Sequence, residues 1–386
     1  MARADGPPRR REWPAKGDAR HGSVPHAGPS MKALHALAFL AAGAALALAL
    51  AAADAASPPD PPPLPELLSG TGLFVPGSVE RVQADVIEFS PQYPLWSDAT
   101  EKRRWLRLPP GAFVDASDPD AWVFPPGTRL WKQFALGGRR LETRLIERLA
   151  DGSWRYATYV WDADGRDARL APATGAAALT VAGRDAPYPI PSETDCRACH
   201  EGAPVPVLGF SALQLSPDRD PLAPHAGPAV PEADLRALVA RGVVRNLPPS
   251  LLESPPRIAA RSPVERAALG YLHGNCGQCH SRPDAAGAGV PVDVRLAQSV
   301  VDPASARQVL DSLVRAPSRF RPHGTDAARV VQPGHPDASV LALRMRSRDP
   351  RTQMPPLGST LTDAEGLALI ERWIAHDLPR NESLTP

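Results

Sequence analysis

Four cysteines stand in this chain, and every one belongs to a C-x-x-C-H pentapeptide: Cys196-Arg197-Ala198-Cys199-His200 and Cys276-Gly277-Gln278-Cys279-His280. Two thiols three positions apart can reach the two vinyl-derived carbons of one haem and form thioethers, and the adjacent histidine then projects beneath the ring toward iron. The pattern predicts two covalently attached haem c groups, held by Cys196, Cys199, Cys276 and Cys279, with His200 and His280 as axial iron ligands. Three other uses of the thiols compete. A zinc ribbon pairs C-x-x-C units, but usually much closer than the 80 residues from Cys196 to Cys276, and it gives no reason for a histidine after each pair. A thioredoxin-like redox pair needs one motif in a βαβ context. Two short disulfides would constrain little.

The N-terminus reads as targeting. Met31-Lys32 opens an apolar run from Ala33 to Ala53, broken only by His35, and Ala53-Asp54-Ala55 fits cleavage by signal peptidase. The Arg/Pro-rich stretch before Met31 resembles neither a fold nor an ordinary n-region. Met31 is therefore expected as the true start, with residues 1–30 a start-site artefact or an extended n-region. If the leader stays uncleaved it becomes a membrane anchor, since about 20 apolar residues span a bilayer. The expected location is the periplasm, where thioether-bound haem is attached in bacteria. Setting aside residues 1–55, with 7 Lys/Arg and 4 Asp/Glu, leaves 36 basic and 38 acidic residues of the chain's 43 and 42. That balance is no nucleic-acid footprint.

The remainder divides into a Pro-rich linker (56–69), a β-rich domain (70–190), a first haem segment (191–255) and a helical domain (256–386). The fold class expected is α+β, a β-rich half followed by mainly helical haem domains. Within 70–190, Leu141 to Leu149 alternates apolar and charged residues, Asp151-Gly152 signals a type I′ turn, and Trp154, Tyr156 and Tyr159 continue the hairpin. Six of the eight tryptophans fall between Trp96 and Trp161, as an aromatic sheet core would require. From Ser57 to Asp195 there is no His, Cys or Met, so the usual ligands of copper, zinc or a third haem are missing there. No catalytic constellation stands out.

The last 131 residues resemble a class I cytochrome c domain. Ser262-Pro263-Val264-Glu265 starts a helix that delivers Cys276, and Thr362 with Glu365 starts another carrying the stripe Leu367, Ile370 and Ile374. Two such helices are expected to cross. Between them Gln353-Met354-Pro355-Pro356 offers a soft thioether sulfur in a proline-pinned loop, and Met354 is the expected second axial ligand of the second haem. Met345, in an expected helix from Ser339 to Arg346, fits core packing instead.

The first motif is less complete. A helix opened by Pro231-Glu232 and closed by Gly242 follows it, but no methionine lies between Cys199 and Met345. His273 could ligate the first iron and so draw the haems together; His225 is a rival, and a five-coordinate iron is a third state.

Tyr93-Pro94-Leu95-Trp96-Ser97-Asp98, Phe124-Pro125-Pro126-Gly127-Thr128, Glu142-Thr143-Arg144-Leu145 and Tyr159-Val160-Trp161 precede the first motif in this order. Asn275 leads into the second motif, and Val331-Gln332-Pro333-Gly334-His335-Pro336 and Gln353-Met354-Pro355-Pro356 follow it. Together these resemble a family of exported diheme c-type cytochromes whose members are often associated with parallel β-helix proteins. The resemblance implies electron transfer between a donor, such as a dehydrogenase, and an acceptor, through periplasmic redox partner proteins. The alternative is a diheme peroxidase-like oxidoreductase with a reactive first haem.

Overall fold

Aromatic residues alternating with charged ones build a six-stranded antiparallel sheet. In a computed structural model, which describes residues 61–379 except 185, 282–293 and 323–327, the strands come first and the longer helices after them. The expected leader and His323 lie outside the described residues. The strands are β1 (Ile87–Glu88), β2 (Glu101–Arg107), β3 (Val114–Asp115), β4 (Arg129–Leu136), β5 (Arg139–Arg148), β6 (Trp154–Trp161), β7 (Ala168–Leu170), β8 (Ala176–Leu179), β9 (Tyr188–Ile190) and β10 (Val244–Arg245). The large sheet runs β1-β2-β4-β5-β6-β7; β8 pairs with β9, and β10 lies parallel to β3. The helices are α1 (Glu193–His200), α2 (Leu235–Ala240), α3 (Ser250–Glu253), α4 (Pro263–Asn275), α5 (Ser305–Leu313), α6 (Val340–Arg346) and α7 (Ala364–Arg372). This is an α+β architecture. Among the described residues no helix is long and apolar enough to cross a membrane.

The hairpin expected around Asp151-Gly152 is β5–β6, but its turn differs. Only Gly152 has a positive φ (85°), and Gly152 N–H donates to Leu149 O, giving a type I turn with glycine in the left-handed position. The two-residue turn with both φ positive belongs instead to Gly137 and Gly138 (56° and 77°), between β4 and β5.

Register decides what each sheet face meets. Trp105, Trp131, Leu145 and Ala157 align across β2, β4, β5 and β6 and pack under Leu68, Leu73 and Phe74. On the opposite face Leu106, Leu130, Ile146 and Tyr156 align and pack against Cys196, Phe210, Leu235 and Leu238. Two charged residues of β5, Glu142 and Arg144, which alternation alone would leave to solvent, lie on this covered face, and Glu142 is 0% exposed. A separate helical core gathers Leu269 and Leu272 of α4, Met345 of α6, and Leu367 and Ile370 of α7, with Tyr93 reaching in from the β-rich half.

Helix starts follow local chemistry with two adjustments. Asp363, not Thr362, caps α7, because its carboxylate accepts from Gly366 N–H at 2.9 Å and is held by the Tyr271 hydroxyl. The helix expected from Pro231 is a 3₁₀ turn there, and α2 begins after Asp234, which accepts from Ala237 N–H at 2.8 Å. Gly242, left-handed at φ 68°, ends it.

Candidate functional site

The first motif is built on α1. Ser192 and Asp195 form a full capping box, the Ser192 hydroxyl accepting from Asp195 N–H at 3.2 Å while the Asp195 carboxylate accepts from Ser192 N–H at 2.9 Å. That Ser-x-x-Asp signal was present in the sequence beside the motif. Arg197 is bound on either side by Glu193 and Glu201, which stiffens so short a helix. Cys196 then faces the sheet core, and the His200 ring lies 5.5 Å from that of Tyr156.

His200 Nδ1 stands 2.5 Å from Pro206 O. A carbonyl only accepts, so Nδ1 carries the proton and the Nε2 lone pair is free. No hydrogen bond from a described residue reaches Nε2. Desolvation pushes the imidazole pKa down to about 4, so the ring is neutral near pH 7.

The second motif repeats the arrangement at the end of α4. Ser262 caps this helix through Glu265 N–H at 3.0 Å, and the Glu265 carboxylate reaches back to Arg261 N–H and its guanidinium. His280 Nδ1 stands 3.2 Å from Val294 O, which fixes the same tautomer, and desolvation again lowers its pKa. A metal-ligating imidazole needs this state: an outer partner on one nitrogen and a bare lone pair on the other.

Although 80 residues separate them in sequence, the two motifs meet in space. The Ser281 hydroxyl, immediately after the second, donates to Gly202 O, just after the first, at 3.5 Å. The Cys199 thiol lies within electrostatic range of Cys279 and, mainly through burial, has its pKa pushed up to about 11. All four cysteines are free thiols with pKa values raised by burial, unlike activated redox cysteines. Among the described residues no three His, Cys, Asp or Glu side chains gather as a metal-ion site, so the two pairs do not converge into a four-thiolate zinc cage.

The segment Tyr93–Asp98 straps α4 in place. A Cβ added at Gly270 would lie 2.0 Å from the Tyr93 ring, and one at Gly274 would lie 2.3 Å from Tyr93 O. Asn275, the residue before Cys276, accepts from Trp96 N–H at 2.7 Å and donates to Pro94 O at 3.3 Å. Asp98 extends the strap to the Met354 loop, accepting from Thr360 N–H (2.9 Å), Leu361 N–H (3.0 Å) and the Arg184 guanidinium (2.8 Å).

Met354 is half-buried in this loop, and its N–H donates to Arg344 O at 2.9 Å. The Arg344 guanidinium also lies within electrostatic range of His280, so one residue links the Met354 loop to the second motif. Met345 is buried in the helical core, and α4 packs against α7. His273 is held differently from the motif histidines. Its Nδ1 accepts from Gln298 N–H at 3.0 Å, so its proton sits on Nε2, the tautomer opposite to that of His200 and His280. His225 is taken by the carboxylates of Asp363 (2.8 Å) and Glu365 (3.4 Å). His335 and His376 are exposed.

Beside His200 the Tyr156 hydroxyl is buried with no hydrogen-bond partner among the described residues. Such a group costs about 1–3 kcal/mol unless something satisfies it. The free Nε2 atoms and paired thiols fit a bound macrocycle against each motif, and the orphaned hydroxyl adds to that fit at the first. Nothing in the sequence singles out Pro206 or Val294, and Asp98 stands there only as part of a motif without a role. The first two act through backbone carbonyls, which every residue possesses. Comparison with protein-family models, curated proteins and solved structures finds no match for this chain.

Proposed function

We propose that this chain is an exported diheme c-type cytochrome that relays electrons between a donor, such as a dehydrogenase, and an acceptor in the periplasm. The observation that carries this reading is the shared state of His200 and His280, each with Nδ1–H on a backbone carbonyl and Nε2 free beside its own pair of thiols. Haem iron, when bound, supplies one-electron chemistry. Cys196 and Cys199 would anchor one group and Cys276 and Cys279 the other. His200 and His280 would ligate iron from one side, and Met354 would complete the second site and raise its potential. Because tunnelling falls steeply with distance, the Ser281–Gly202 contact between the motifs suits transfer from one group to the other. The test is subtraction. Replacing Cys196 and Cys199 together by alanine should leave one covalent haem per chain, and replacing Cys276 and Cys279 should leave the other. Unchanged haem content in either variant overturns the assignment.

A second reading, a peroxidase-like oxidoreductase, is favoured by one observation: His273 Nδ1 and His225 each hydrogen-bond another group, which counts against either as a sixth ligand for an iron held at the first motif. Electron paramagnetic resonance of the oxidised protein separates the two. A high-spin haem that turns over hydrogen peroxide rapidly favours the enzyme, and two low-spin haems favour the carrier.

A further inference from the structure

The sheet face turned toward the first motif carries a row of cations. Arg104, Lys132 and Arg144 align in register across β2, β4 and β5, and Lys102 stands two residues before Arg104 on the same face. Cys199 and His200 both lie within electrostatic range of Lys132 and Arg144. Arg144 has a carboxylate, Glu142, at 2.6 Å, and Glu142 also accepts from the Tyr188 hydroxyl. The side chains of Lys102, Arg104 and Lys132 have no hydrogen-bond acceptor among the described residues, although Arg104 is only 8% exposed. Lys132 has the Phe134 ring 4.8 Å from its ammonium, and Glu142 lies within electrostatic range, although that carboxylate is already bound by Arg144 and the Tyr188 hydroxyl. Two further carboxylates face Lys102, Asp98 and Asp363, and both are committed: Asp98 to Arg184 and the 360–361 backbone, Asp363 to His225, Tyr271 and Gly366.

Like charges at adjacent cross-strand positions repel, and a buried cation without an anion is costly. The strain registers in titration: burial and the neighbouring Arg104 depress Lys102 to about 8, and burial lowers Arg104 to about 10. An arrangement of this kind calls for anionic oxygens between the sheet and the first motif.

We propose that Lys102, Arg104 and Lys132 seat the propionate carboxylates of the haem attached at Cys196 and Cys199. This inference rests on the haem reading above. Its direction comes from the sheet. Helix α1 packs over β6, and the cation row leads away from it through β5 and β4 to β2. Strands step about 4.8 Å apart, which sets Arg104 about 10 Å beyond Arg144. Propionates leave the macrocycle on the edge opposite the thioethers, so the unpaired cations lie where those carboxylates are needed. Two carboxylates would also balance most of the excess charge.

The test uses holoprotein carrying Lys132→Met or, separately, Arg104→Met; neither change removes a hydrogen-bond partner, and either suffices if the other fails to accumulate. Haem content is counted first, then each haem's reduction potential is followed against pH. Paired propionates stay ionised, so the wild-type potential should be flat across neutral pH. In the variants one haem should fall in potential and gain a pH-dependent step as its released propionate titrates, while the other haem is unchanged. Lys132→Arg, which keeps the charge, should restore the wild-type profile. A lowered potential without the pH step overturns the proposal, because the cations would then act only as nearby charges. So does a wild-type potential that shifts when phosphate replaces chloride at constant ionic strength, since the seat would then belong to a soluble anion. Absence of covalent haem from wild type defeats the haem reading itself, a result distinct from both.

Discussion

Replacing Gly274 by alanine tests how the β-rich half holds the second motif. A methyl group at 274 would lie 2.3 Å from Tyr93 O and 3.1 Å from Tyr93 Cβ, and backbone cannot swing aside as a flexible side-chain tip can. Forcing the strap outward costs about 1–3 kcal/mol of overpacking. The same shift pulls on Gln214 Nε2–Tyr93 O (3.1 Å), Trp96 N–Asn275 Oδ1 (2.7 Å) and Asn275 Nδ2–Pro94 O (3.3 Å). Losing two of these adds about 2 kcal/mol. Alanine returns about 1 kcal/mol as the better helix former. The net expectation is destabilisation by about 2–4 kcal/mol, combining these terms. Denaturant unfolding followed by circular dichroism reads it directly. A double-mutant cycle sharpens the assignment. Gly270→Ala strikes the Tyr93 ring, so Tyr93→Ala should relieve it; Gly274→Ala strikes the backbone and should gain no relief. If Gly274→Ala is as stable as wild type or more so, helix propensity has won and the close approach described here is wrong.

Asp98→Ala removes a carboxylate that, with Arg184, is 3% and 4% exposed, leaving the Thr360 and Leu361 amides without this acceptor and the Arg184 guanidinium without its counter-charge, with only Ala186 O, the residue 98 carbonyl and Thr360 Oγ1 to bond. The expected loss is about 3–5 kcal/mol, with faster hydrogen exchange at Thr360 and Leu361. Burial alone would raise the pKa of Asp98, but hydrogen bonds from Thr360, Leu361 and Arg184 outweigh it and hold the value below 3.8. Its contribution is therefore complete above about pH 4 and lost as pH falls through the depressed folded-state value. The alanine variant should lack that part of the acid dependence, and an unchanged acid limb would refute it. Met354→Ala should lower the potential of one haem and abolish its sulfur-to-iron charge-transfer band; an effect on neither haem means that another residue is the ligand.

What could be read in advance followed the range of the interaction. The motifs and the start of α4 are local: Ser262 and Pro263 act on amides within one turn, and the cysteine spacing needs no tertiary partner. The sheet core was legible because Trp105, Trp131 and Trp161 have few other places to go. Turn type was not, since Asp151-Gly152 and Gly137-Gly138 carry similar composition while strand register selects between them. Nor was the burial of Glu142, with Arg144 half-buried beside it. Alternation distinguishes two faces of a strand without saying which of them another element will cover. The Ser281–Gly202 contact and the carbonyls of Pro206 and Val294 leave no residue-type signature at all, because they are backbone groups met across the fold. Gly270 and Gly274 carried a usable hint: glycine twice in one helix, four residues apart, is costly unless something approaches closely.

The most direct measurement is pyridine haemochrome analysis of the purified chain, made in cells that mature c-type cytochromes, with protein quantified independently. Two covalent haems per chain should survive denaturation and acid extraction. One haem, or none, would contradict the diheme assignment.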